Sequence, residues 1–120
     1  HTVDNLISFN GYVMRAVEES PFHSFYPSLY GRQVMTEGVR HILNPDRRYY
    51  QILRQLLKEG SETGEIVSVH SYPVLTDMIA SFQIGLTYNW CLQQGHYSLL
   101  QYGQELLNPF LESLRAVDEG

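Results

Sequence analysis

Apolar residues recur at helical spacing along most of the chain, and no segment alternates with period two for long enough to indicate a strand. The segment from Tyr72 to Leu92 carries two such stripes, offset from each other. The first stripe follows the spacing of one helix face and consists of Leu75, Ile79, Phe82 and Leu86. The second stripe includes small residues and consists of Val74, Met78, Ser81, Gly85 and Tyr88. A helix that is apolar on two sides needs a second surface to cover it, so this pattern favours association with a partner.

Proline and glycine divide the chain into about five to six predicted helices, because cap-then-proline pairs are typical of helix starts and glycine of helix ends. Their predicted bounds, in chain order, are Thr2–Glu19, a short helix from Ser20-Pro21, Gln33–Leu43, a helix opened by Asn44-Pro45-Asp46 and ended by Gly60 and Gly64, Ser71 to Gly95, and Tyr97–Val117. Pro109 should kink the last helix, since it lacks a backbone N–H. The pattern predicts one all-α, antiparallel helical domain over residues 1–120.

The last helix has an apolar stripe that we expect to point inward. Its members are Leu99, Leu100, Gly103, Leu106, Leu107, Phe110, Leu111, Leu114 and Val117. Two-fold packing is the commonest way to cover apolar helix faces, so we expect a homodimer in which the last two helices of each subunit form a four-helix bundle. The candidate interface residues are Val74, Ser81, Gly85, Tyr88, Leu107, Phe110, Leu111 and Leu114.

The charge balance argues against direct binding of DNA by this chain. Its formal net charge is -5, from 13 acidic and 8 basic residues. The phosphate backbone attracts clustered Lys and Arg, whereas here the only tight basic cluster is Arg47-Arg48, which is interpreted as a solvated helix face.

The cysteine content and the polar interruptions predict a cytoplasmic chain without a membrane span. The lone Cys91 excludes an internal disulfide, fits a reducing compartment and is interpreted as a small buried hydrophobe. The Tyr72–Leu92 run is long enough to cross a bilayer, but Asp77, Gln83 and Asn89 interrupt it. No signal-peptide pattern is present.

Catalytic patterns are missing from the sequence. None of the 5 histidines is spaced at i, i+3 or i+4 from another, and there is no cysteine pair, nucleophile elbow or glycine-rich phosphate loop. The sequence therefore predicts no enzyme, no cofactor and no metal, with a metal site built from distant histidines as an alternative.

A small-molecule pocket is mostly apolar and aromatic, with a few polar groups set into it. The first half of the chain offers this mixture, and Asn10 interrupts an otherwise apolar helix stripe. The candidate ligand-binding residues are Asn10, Met14, Phe25, Tyr26, Tyr30, Tyr49, Leu53, Met78 and Phe82. The alternative is an ordinary core, in which a backbone carbonyl or a water satisfies the Asn10 amide.

Two short motifs carry a family resemblance. A leucine-rich helix ends in Gly60, and Gly64-Glu65-Ile66 follows after three intervening residues. Further along, Gly85-Leu86 precedes Trp90 by a short gap, and a terminal amphipathic helix closes the chain. In this order, the motifs resemble the C-terminal effector-binding and dimerisation domain of TetR-family transcriptional regulators.

The resemblance implies a ligand-sensing domain in which a small hydrophobic or aromatic effector controls DNA binding. The helix-turn-helix domain that binds DNA in that family is not found in this chain, which starts at His1 without a methionine. The family motif does not identify ligand-contacting residues, and Pro109 departs from the family's uninterrupted last helix. The alternative function is a helical protein–protein interaction module that binds a partner through Ser71–Val117 and has no ligand.

Overall fold

The computed structural model describes residues 1–20 and 48–117, and within these ranges the chain is helical. The helices are α1 (Thr2–Glu19), α2 (Arg48–Thr63), α3 (Tyr72–Leu92) and α4 (Leu99–Glu112). In the described ranges, extended pairing is limited to one isolated antiparallel bridge, between Ile66 and Arg115. The predicted all-α class is therefore confirmed for these residues. The two short helices predicted between Ser20 and Leu43 lie outside them.

The helices form an up-down-up-down bundle. Asp4 at the start of α1 pairs with Arg115 just beyond α4, and the Glu18 carboxylate near the end of α1 accepts a hydrogen bond from the Leu99 N–H at the start of α4. α1 and α4 therefore run antiparallel. The acceptor at the start of α4 is favourable, because the first amides of a helix have no partner within it.

The other helix directions follow from contacts in the same way. A side-chain hydrogen bond joins Tyr49 to Asn10, and an ideal Cβ on Gly60 would meet the side chain of Thr2, so α2 runs antiparallel to α1. The Phe82–Phe110 ring pair shows that α3 passes beside α4. Each helix thus packs against its neighbour in the chain, and α4 closes the bundle against α1.

The bundle interior is filled by the residues that the helical pattern assigns to one face of each helix. The buried apolar residues are Val3, Leu6, Met14, Tyr50, Leu53, Leu57, Ile66, Leu75, Ile79, Ala80, Leu86, Trp90, Cys91, Leu99, Leu107, Leu111 and Leu114. Burial raises the pKa of the Cys91 thiol, which agrees with its interpretation as a small buried hydrophobe.

The end of the last helix differs from the sequence prediction. α4 begins at Leu99, after the N-cap Ser98, and ends at Glu112 rather than at Val117. Beyond it, the Leu114 carbonyl accepts a hydrogen bond from Val67 N–H at 2.9 Å, so the chain pairs with the α2–α3 connection instead of continuing the helix. Val117, which was predicted to point inward, is consequently exposed.

Gly60 is part of α2 and does not end it. The helix continues to Thr63, and Gly64, with a φ of 81°, follows its last residue. An ideal Cβ on Gly60 would lie 2.6 Å from Thr2 Cγ2 and 2.5 Å from Ile66 Cγ1. The glycine therefore allows α1 and the segment after α2 to approach the α2 backbone closely.

Arg115 joins α1 to the end of α4 at the surface. Its guanidinium donates hydrogen bonds to Asp4 at 2.7 Å and to Glu112 at 2.8 Å. These hydrogen bonds lower the pKa of both carboxyl groups. The resulting stabilisation is present above the ordinary pKa values and is lost as the pH falls through the lowered ones. It is small, because the groups are exposed.

Candidate functional site

A buried polar cluster lies inside the bundle, formed by Asn10 of α1, Tyr49 of α2 and Gln83 of α3. The Tyr49 hydroxyl donates to Asn10 Oδ1 at 2.8 Å, and Asn10 Nδ2 donates to the Leu6 carbonyl at 2.9 Å. Gln83 Nε2 donates to the Asn10 backbone carbonyl at 3.4 Å, a long hydrogen bond. We call these three side chains the polar cluster.

The polar cluster is not fully satisfied. Gln83 is only 5% exposed, and its Oε1 has no hydrogen-bond partner among the residues that the structure describes. A buried polar atom without a partner costs about 1–3 kcal/mol. Unpaired buried groups are rare in native proteins and mark places where a water or a ligand supplies the missing bond.

Apolar residues surround the polar cluster along the bundle axis. One turn before it on α1 and α3 lie Leu6 and Ile79, which are both buried. One turn beyond it, Met14 and Leu86 meet at Gly103, where an ideal Cβ would collide with Met14 Sδ. The site therefore offers a few polar groups within an apolar environment, as small-molecule sites do.

The structure places the other predicted ligand-binding residues at different depths. Met14 and Leu53 are fully buried, and Tyr49 is half-buried and stacks on Phe9 with a centroid distance of 5.4 Å. Phe82 is half-buried. Phe25, Tyr26 and Tyr30 lie outside the described residues.

Met78 does not belong with this group. It is 38% exposed and lies on the second apolar stripe of α3 rather than on the inner side of that helix. Both stripes of α3 are apolar in sequence, and only tertiary packing decides which of them is buried, so a role for Met78 in the pocket stays a prediction.

Gln83 is the residue that sequence reasoning missed, having been treated only as an interruption of a membrane span. A signal was available. Gln83 follows Ile79 by four positions and so falls on the first, inward stripe of α3, as Asn10 does on α1. A polar residue in a buried stripe requires a partner.

The second candidate site is an exposed apolar surface on α3, which we call the outer face. Its residues are all exposed in the single chain: Val74, Met78, Ser81, Gly85 and Tyr88. An ideal Cβ on Gly85 would have no heavy atom within 4 Å. This matches the predicted second stripe and leaves space at Gly85 for another chain.

Three predicted interface residues, two on α4 and one just beyond its end, lie elsewhere. Leu107, Leu111 and Leu114 are buried in the chain's own core, so they have no surface to offer a second copy, and their assignment to a dimer interface is corrected. Phe110 is half-buried and stacks on Phe82 with a centroid distance of 6.3 Å. Leu106, which was predicted to point inward, is 43% exposed.

Within residues 1–20 and 48–117, no group of three His, Cys, Asp or Glu side chains is arranged to hold a metal ion. None of α1 to α4 is long and apolar enough to cross a membrane. The polar cluster and the outer face are thus the features that carry the functional argument.

Comparison with known proteins found no matching family model, no similar curated protein and no similar solved structure.

Proposed function

We propose that this chain is the ligand-sensing and dimerisation domain of a TetR-like transcriptional regulator. In this proposal, a small hydrophobic or aromatic effector binds within the helical bundle and controls DNA binding by a helix-turn-helix domain elsewhere in the parent protein. The effector acts by binding one arrangement of the domain better than another, since a ligand shifts a conformational equilibrium only through such a difference.

The observation that carries the proposal is the incompletely satisfied polar cluster in an apolar interior. Asn10 and Tyr49 were predicted ligand-binding residues from the sequence, and the structure joins them by a hydrogen bond. Gln83 adds a buried oxygen without a partner in the described part of the chain. An apolar ligand with one polar group would complete this set.

The outer face supports the dimerisation part of the proposal. A stable dimer interface buries at least about 1,200 Å² in total, and the outer face extends along most of the length of α3, from Val74 to Tyr88. The small residues Ser81 and Gly85 at its centre allow another helix to approach closely. In the proposed dimer, the outer faces of two copies pack together.

We expect small aromatic or lipophilic compounds to raise the melting temperature of the chain. A ligand present at about a hundred times its Kd adds about 2.7 kcal/mol to the free energy of unfolding, because it binds only the folded state. The measurement is thermal unfolding against a panel of such compounds. Tyr49→Phe should reduce the shift, because it removes the hydroxyl that orients Asn10.

The matched control is Tyr12→Phe, which removes the same hydroxyl at a side chain that is 72% exposed and should leave the shift unchanged. If no compound raises the melting temperature, the sensor proposal fails.

We expect the chain to sediment as a dimer at micromolar concentration, and Gly85→Leu to shift it towards monomer. The leucine has open space around it within the chain, so its effect should fall on association and not on folding. Sedimentation equilibrium measures the association, and far-ultraviolet circular dichroism checks that the variant is folded. A wild-type monomer at micromolar concentration would contradict the proposed dimer.

The second candidate function is a helical interaction module without a ligand. The exposed outer face favours it, since a contiguous apolar surface on one helix also suits a different protein partner. A chain that sediments as a monomer and responds to no compound would support this alternative.

A further inference from the structure

Two buried amide oxygens lack hydrogen-bond partners in the described part of the chain, Gln83 Oε1 and Asn108 Oδ1. Gln83 lies between Phe82 and Leu86 on α3, and Asn108 lies between Gly103 and Phe110 on α4. These two stretches approach each other at the Phe82–Phe110 ring pair and where Leu86 lies beside Gly103. Both of the buried atoms that have no partner are acceptor oxygens.

Each donor atom of the polar cluster has a hydrogen-bond partner. The Tyr49 hydroxyl donates to Asn10 Oδ1, Asn10 Nδ2 donates to the Leu6 carbonyl, and Gln83 Nε2 donates to the Asn10 carbonyl. The two amide nitrogens keep a second N–H each, but a ligand group that only accepts, such as an ether or a ketone, would leave Gln83 Oε1 without a partner. A hydroxyl or N–H group would find a free acceptor in Gln83 Oε1.

Burial and charge limit the ligand further. The buried polar side chains of residues 1–20 and 48–117 are all uncharged: Thr2, Asn10, Thr76, Gln83 and Thr87. A ligand ion at this depth would have no opposite charge to offset its loss of hydration. Leu6, Ile79 and Met14 border the cluster and favour an apolar body.

We propose that Gln83 is a specificity-determining residue of the effector site, and that the effector is an uncharged, mainly apolar molecule with a hydroxyl or N–H group that donates to Gln83 Oε1. This inference rests on the proposed sensor function. It assigns the position of the polar group and excludes carboxylates and ammonium ions. Molecules that only accept hydrogen bonds should bind more weakly, because they leave Gln83 Oε1 without a partner.

The test compares four probes that share a para-butylphenyl body and differ in the polar group: para-butylphenol, para-butylanisole, para-butylbenzoate and para-butylbenzylamine. Isothermal titration calorimetry on the whole chain measures each Kd at neutral pH. We expect the phenol to bind about tenfold more tightly than the anisole, since methylation removes the donor. The two charged probes should bind more weakly than the phenol.

Gln83→Met removes the amide, keeps a long unbranched side chain, and should abolish the preference for phenol over anisole. The matched control is Thr76→Val, a buried polar-to-apolar change on the same helix. The Thr76 hydroxyl already donates to the Tyr72 carbonyl at 2.7 Å, so this variant should keep the preference. A second measurement uses the wild-type chain and so does not depend on whether a variant folds. In its NMR spectrum, the Gln83 side-chain amide resonances should shift when para-butylphenol is added and should not shift with para-butylanisole.

The possible failures are distinguishable. Equal binding of phenol and anisole, as expected if a bound water satisfies Gln83 Oε1, overturns the assignment of Gln83 and leaves the sensor function standing. The assignment of Gln83 is also overturned if folded Gln83→Met still prefers the phenol over the anisole, or if either charged probe binds more tightly than the phenol. Neither result contradicts the sensor function. No binding of any probe up to about 1 mM overturns this inference; the sensor function itself fails only if the wider compound panel is also without effect.

Discussion

Leu107→Ala is expected to lower the free energy of unfolding by about 3 kcal/mol. Leu107 is fully buried in the bundle, and removing a buried leucine side chain costs its transfer free energy together with that of the cavity left behind. Urea denaturation followed by circular dichroism measures the loss. The loss should be the same at low and at high protein concentration, because the side chain packs within its own chain.

Leu106→Ala is the matched control, since the same change is made one position earlier, at a side chain that is 43% exposed. It should alter the free energy of unfolding by no more than about 0.5 kcal/mol. If Leu107→Ala instead weakened self-association and left the stability of the chain intact, Leu107 would belong to an interface, as the sequence pattern predicted.

These adjacent leucines show what helical periodicity can and cannot determine. The pattern over Thr2–Glu19 has polar residues between its apolar ones and predicts an inward face of Val3, Leu6, Ile7, Val13, Met14 and Val17, with Asn10 among them. Val3, Leu6, Asn10 and Met14 are buried, whereas Ile7, Val13 and Val17 are half-buried at its edges. On α4 the apolar stripe is too broad to select one direction, and Leu106 was assigned inward together with Leu107. When a helix is apolar over a wide arc, the neighbouring helices decide which side is buried.

Tertiary contacts account for the misplaced boundaries. Leu114 and Val117 continue the apolar spacing of α4, yet the chain leaves the helix at Glu112 and pairs with the segment around Ile66. Glycine is typical of helix ends, yet Gly60 lies within α2 and allows Thr2 to pack closely against that helix. Both outcomes depend on residues distant in the sequence, which local propensity does not include.

The candidate site was predictable in part. Asn10 was identified because a polar residue interrupts an apolar stripe, and the structure joins it to Tyr49, another predicted residue. Gln83 also interrupts an apolar stripe, but it was interpreted only as a polar residue that argues against a membrane span. Met78 was placed on the inner side of α3 from the sequence but lies on the outer face, because the two stripes of α3 are equally apolar and nothing local separates them.

Asn10→Asp is expected to destabilise the chain by about 3–5 kcal/mol at neutral pH, the cost of leaving a buried charge uncompensated. Tyr49 would still donate to one carboxylate oxygen. The other would replace Asn10 Nδ2, which lies 2.9 Å from the Leu6 carbonyl oxygen, and two acceptors would then face each other. The protonated acid restores both hydrogen bonds, so the pKa of the introduced carboxyl is raised in the folded state.

The pH dependence follows from that raised pKa. Because the folded state holds the proton more tightly, the stability difference from wild type is small below the ordinary aspartate pKa of about 3.9 and grows as the pH rises towards the folded-state value. Urea denaturation of both proteins between about pH 4 and about pH 7 measures it. Asn5→Asp introduces the same charge at an exposed position of α1 and should show no such growth. A pH-independent loss in Asn10→Asp would mean that water reaches this position and that the polar cluster is not the dry, partly satisfied site on which the proposed effector specificity depends.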